Sequence, residues 1–122
     1  MPDKANLKDK LSLFTEHWSP RIIAEANGQY VKLVKVQGEF VWHNHADEDE
    51  IFIVLSGTLY IEMHDQTIEL NAGELFVVPK GVEHRPYAPV ETHIMLIEPQ
   101  QTAHTGTTQS DITVAVSEQA WI

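Results

Sequence analysis

From Arg21 onward the apolar residues fall into short extended stretches, each stopped by turn-forming residues. "RIIAEA" and "QYVKLVKV" flank Asn27-Gly28, a pair that favours a tight hairpin because both residues tolerate positive φ. "FVWHNH" is a further extended run beyond Gly38. "EIFIVLS" ends at Gly57, and "TLYIEMH" meets "TIEL" across Asp65-Gln66. "ELFVVP" follows Asn71-Ala72-Gly73 and stops at Pro79. "THIMLIEP" comes next, then the polar "QTAHTGTTQS" and a last strand candidate, "DITVAVS". About eight or nine short strands with a turn every ~8–12 residues predict a sandwich or barrel. Helical periodicity appears only near the N-terminus. There Asn6 can cap a short helix and Leu7, Leu11 and Phe14 share one face before Pro20 breaks it.

One strand is apolar on both sides. Along "EIFIVLS", Phe52 and Val54 share a face with Glu50, while Ile51, Ile53 and Leu55 occupy the other. Both faces need cover, so either the N-terminal segment packs on the outer one or a second copy does. The expectation is a homodimer. In "FVWHNH" the face carrying Phe40 and Trp42 opposes the one carrying Val41 and His43.

The chain of 122 residues has the length of a single domain. Its expected layout is an arm over 1–20 with the short helix, a barrel over 21–117 and a tail over 118–122. It has no cysteine, which excludes disulfides and thiolate metal ligands, so any transition-metal site must use imidazole and carboxylate. The formal net charge of −10 repels nucleic acid and anionic headgroups. No nucleic-acid or membrane partner is expected, and the N-terminus lacks a secretory apolar run. The expected compartment is the cytoplasm.

The candidate chemistry lies in "HNHADEDE". His43 and His45 are two apart, so on a strand both point to one face with α-carbons about 6.6 Å apart, a span two imidazoles can bridge to one ion. Glu50 joins them if the chain reverses through "ADED" and a new strand opens facing back. Asp47, Glu48 and Asp49 are expected at a solvated loop tip. "PKGVEH" offers a fourth ligand, His84, just after a tight turn at Pro79 and Gly81.

Two blocks of residues carry a resemblance to a known family. "GEFVWHNHADEDEIFIVLSG", Gly38 to Gly57, resembles the first cupin motif, and "GELFVVPKGVEH", Gly73 to His84, resembles the second. The flanking "HWSPRIIAEANGQY", "HIMLIEP" and "HTG" extend the likeness to small single-domain cupins, often described as mannose-6-phosphate-isomerase-like. The resemblance implies an all-β double-stranded β-helix, or jelly-roll barrel, with a short N-terminal helix. It also implies one divalent transition metal per chain, held by His43, His45, Glu50 and His84. Gly38 lies one residue closer to His43 than the family spacing, and Ala88 stands where the family often has asparagine. Asp49 rivals Glu50, but the distance to Gly57 favours Glu50.

Such a site suits Fe, Mn, Co, Ni, Cu or Zn. Phe52, Val54, Phe76 and Val78 are expected to wall the pocket, and His93 is a further pocket candidate or a plain packed histidine. Arg85 could meet an anionic ligand or sit at the surface. His17, His64 and His104 are expected in loops, and Trp18, Trp42 and Trp121 in packing. The expected partner is a small organic molecule. It is either turned over by a metal-dependent dioxygenase or isomerase-like activity or simply bound.

Overall fold

The computed structural model describes residues 3–101 and 119–122. His104 and the strand expected over "DITVAVS" lie outside the described residues. One short helix, α1 (Leu7–Leu11), precedes eight strands. They are β1 (Arg21–Ala26), β2 (Gln29–Glu39), β3 (Glu50–Ser56), β4 (Thr58–Met63), β5 (Thr67–Asn71), β6 (Leu75–Val78), β7 (His84–Pro99) and β8 (Ala120–Trp121). This is the mostly-β, jelly-roll architecture that the sequence predicts. Among the described residues no helix is long and apolar enough to cross a membrane.

The local signals account for most element ends. Asn6 caps α1, its side chain accepting from the Asp9 amide at 3.0 Å. Asn27 and Gly28 take φ of 54° and 76°, as a two-residue hairpin between β1 and β2 needs. Burial alternates along β3 and β4, so each strand puts every second residue into the core. Val34, Val36, Phe52, Val54, Leu59 and Ile61 lie at the centre of that core.

β7 organises the sheet. It pairs antiparallel with β2 along one edge, and with β4 and then β3 along the other. The change of partner falls at residues 88–92, where the register with β2 shifts between Val36 and Gly38. Thr92, fully buried, ties the bend: its Oγ1 donates to Thr58 O and accepts from Thr58 N–H, both at 3.1 Å. Gly57 sits against it with φ of 85°, and a Cβ there would lie 2.4 Å from Thr92 Oγ1.

Three expectations need correction. "FVWHNH" is not a strand: β2 ends at Glu39, and beyond it only Phe40 and His43 bond to β7. The alternation expected there fails for that reason, and Phe40 and His43 both turn inward, ring edge to ring face at 5.5 Å. β3 pairs with β6 and β7 and not with the histidine stretch. Ala120–Trp121, expected in a tail, adds a short parallel strand to β1.

Gly57→Ala should destabilise the fold by about 2–4 kcal/mol, combining a left-handed backbone with a side-chain clash. Urea denaturation checks this. Gly73→Ala has the same backbone strain but open space around its Cβ, and should cost less.

Candidate metal centre

The two histidine segments meet through their backbones. His43 N–H donates to His84 O at 3.0 Å, and His84 N–H donates to His43 O at 2.9 Å. The paired residues hold their imidazoles side by side, with ring centroids 4.3 Å apart. Gly81 N–H reaches His45 O at 2.8 Å and locks the turn of the second motif against the first.

The His43 and His84 imidazoles are then oriented. The Nδ1–H of His43 donates to Val41 O at 2.8 Å, and that of His84 to Val82 O at 2.9 Å. Both contacts run two residues back along the chain and leave Nε2 as the free lone pair. His45 Nε2 lies 3.3 Å and His84 Nε2 3.5 Å from the same oxygen, Glu50 Oε1. These three atoms are buried and none has a hydrogen-bond partner. One donor atom from each of His43, His45, Glu50 and His84 falls within 4.8 Å of the others, and all four residues are buried. Buried polar atoms are normally bonded, so a convergent unbonded set of nitrogen and carboxylate oxygen fits a cation of intermediate hardness.

The electrostatics suit that role. Burial, and then the neighbouring His84, lower the His43 pKa to about 4, which keeps it neutral at physiological pH. Burial alone would lower His45, but the Glu50 carboxylate and Glu48 outweigh it and raise the value. Burial alone would raise Glu50, but His45 and His84 beside it hold its carboxyl well below the usual range. Asp49, the rival ligand, is exposed and accepts from the Lys80 amide at 2.8 Å, so it caps the turn instead.

Above the site lies a narrow apolar space of about 20 Å³, lined by Trp18, Phe40, Phe52 and Leu96, with His43 and Glu50 as its polar wall. Trp18 reaches it from the arm in a left-handed conformation, φ 57°, held by its amide on Lys35 O and its indole N–H on Gln37 O. Its ring stacks on Phe40 at 4.5 Å.

Of the expected pocket wall, Phe52 lines this space. Val54 and Val78 are buried deeper in the core, and Phe76 packs at the core edge, so none of the three reaches it. His93 does not face it either, because β7 puts Thr92, Ile94 and Leu96 inward and its odd positions outward. His93 instead lines an outer groove with Leu7, Leu11 and Leu55, and bonds Glu91 at 3.1 Å. Arg85 pairs with Glu62 at 3.0 Å outside the site. His64 stacks on Trp42 at the surface. Trp18 is a site residue that its expected packing role did not reveal. Lys32 and Glu98 were missed altogether. They form a fully buried pair at 2.8 Å, and Glu98 faces Glu50 across the β3–β7 ladder, one step beyond Ile51 and Ile97. Both stand in phase with core residues, Lys32 with Val34 and Val36, Glu98 with Ile94 and Leu96, and that phase was the available signal.

A family model described as the cupin domain matches residues 30–98. The crystal structure of a cupin-2 domain containing protein from Shewanella frigidimarina NCIMB 400 is 63% identical, covers 78% of this chain and 93% of that one, and superposes with a TM-score of 0.77. Protein NMB1881 from Neisseria meningitidis is 34% identical over 80% of this chain and 99% of its own, with a TM-score of 0.73. The uncharacterized protein YdbB of Bacillus subtilis (strain 168) is 41% identical over 80 residues, 65% of this chain and 71% of that protein.

In metal-free protein, His43 should titrate near pH 4 and His45 above the ordinary range, as NMR of the imidazole protons can show. The linkage has two signs. Between about 6.5 and 4 the unfolded chain protonates His43 and the folded chain does not. Stability therefore falls as pH drops through that window, by about 3 kcal/mol from this residue. The share due to His45 is present below its unfolded value and is lost as pH rises through its raised one.

Proposed function

Because the chain belongs to the cupin domain family, we propose that it holds one divalent transition metal on His43, His45, Glu50 and His84 and presents it to a small organic molecule. The observation that carries this reading is the convergence of four buried side chains, of which His45, Glu50 and His84 bring donor atoms with no hydrogen-bond partner. The donor set accommodates Fe, Mn, Co, Ni, Cu or Zn, and four protein ligands leave a position open on a five- or six-coordinate ion. When bound, such an ion supplies Lewis acidity toward a carbonyl or enediol, or redox chemistry with dioxygen.

The residues themselves define what can approach. Among the described residues no titratable side chain other than His43 and Glu50 lines the space above the site. Among the described residues, none is placed there as an independent general acid or base. Chemistry would depend on the ion, as in a dioxygenase or isomerase-like activity, or the site would bind without turnover. The apolar lining suits a molecule with an aromatic or aliphatic body better than a sugar phosphate, which would require cationic partners. A space this small admits about one water. A larger ligand must displace part of the lining, to which the Trp18 ring, stacked on Phe40, belongs.

We also propose that the outer face of β3 is covered by a second copy of the chain. Ile51 pairs with Val77 and Ile97, and Ile53 with Leu75 and Met95. That builds an apolar patch in which Leu75 and Val77 stay 59% and 40% exposed. Among the described residues, the arm meets this face at its Leu55 end. Sedimentation at micromolar concentration should give twice the mass of one chain. Ile53→Glu should shift it toward a single chain, and a monomeric parent would reject the interface.

Protein purified without added metal should carry one transition-metal ion per chain by elemental analysis. His84→Ala should weaken binding by more than ~100-fold, beyond the loss typical of removing an outer partner. His64→Ala should leave it within a few-fold. Equal affinity in the parent and His84→Ala would remove His84 from the ligand set.

A further inference from the structure

Glu50 is not the last charged group along the barrel interior. Glu98, on β7, is buried opposite it, one step along the register that pairs Ile51 with Ile97, and Lys32, on β2, contacts Glu98 Oε1 at 2.8 Å. All three side chains are essentially inaccessible to solvent. A buried ion pair is a poor route to stability, since apolar residues of similar volume often do as well or better. Its position calls for another explanation. The row runs Lys32, Glu98, Glu50, and then fans out to His45 and His84 at 3.3 and 3.5 Å.

Glu98 faces Glu50 across the β3–β7 ladder and is itself held by Lys32, so the carboxyl behind Glu50 has a fixed place. Glu98 is anchored through Oε1, which leaves its Oε2, with no other bonding partner, for the side facing away from Lys32. Glu50 in turn presents Oε1 to the histidines. The geometry assigns Lys32 and Glu98 as positioning residues for the metal site: they hold the Glu50 carboxylate turned toward His45 and His84. This inference rests on the metal reading above, but nothing in that reading requires it. Any other residue could have filled the space behind Glu50.

Co²⁺ tests it without any knowledge of substrate. Its absorption bands report ligand geometry, and chelator competition reports affinity. The double variant Lys32→Met/Glu98→Leu replaces the pair by apolar side chains of similar size and should fold, with metal-free thermal stability near or above the parent's. It should bind Co²⁺ about 10–100-fold more weakly, with shifted bands. Glu98→Gln should retain both affinity and spectrum, because an amide can accept from Lys32 and donate to Glu50. A folded double variant with the parent's affinity and bands would overturn the assignment. If the double variant does not fold, Lys32→Met alone carries the same expectation and the same refutation. A parent that binds no Co²⁺ at all overturns the metal reading, and this inference with it. A parent that binds, matched by the variant, overturns the inference alone.

Discussion

The reciprocal pair of hydrogen bonds between His43 and His84 is the contact on which the site depends. The two residues are forty-one positions apart in sequence, and their segments share no continuous strand pairing. A hydrogen-bonded antiparallel pair sets its α-carbons about 5.5 Å apart and sends both side chains to the same face. That single bridge therefore supplies two of the four donors at once. The same local device then orients each ring, with Nδ1–H bonded to the carbonyl two residues earlier. His45 and Glu50 follow from the bridge. The Gly81 amide on His45 O fixes one, and the opening of β3 beside β6 and β7 fixes the other.

The bridge holds because β7 is unusually long and bent. Its first turn of pairing, with β4, delivers His84, and its later part carries Ile94 and Leu96 under the same space. One strand thus joins the ligand end of the barrel to its core. The bend is stabilised where Thr92 bonds both backbone groups of Thr58, and it is permitted by the absence of a side chain at Gly57. Packing far from the clustered side chains therefore helps set the distance between them.

Most strands were legible because they alternate and end at turn residues. "RIIAEA" and "EIFIVLS" match β1 and β3 residue for residue. The first half of β7 was not, because Pro86 and Pro89 argue against a strand interior. Pro89 is tolerated because residues 89–91 bulge out opposite Gln37, where the ladder has no bond to lose. The four residues that cluster as a possible metal site were readable from two motifs with fixed spacing. The mouth was not, since Trp18 reaches it through a left-handed backbone and a long-range stack that no local pattern encodes. Lys32 was hidden for a different reason. A lysine within "QYVKLVKV" reads as the polar half of an alternation, yet it occupies the same face as Val34 and Val36. A second buried group, Glu98, helps make that placement tenable, and the two are sixty-six residues apart.

X-ray absorption at the edge of whatever transition metal the purified protein carries tests the central claim most directly. It reads the atoms around the ion and needs no substrate. The account predicts a nearest shell of nitrogen and oxygen only, with the outer scattering of three imidazoles. An ion whose shell lacks imidazole scattering, or a protein that takes up no transition metal when supplied with one, would contradict it.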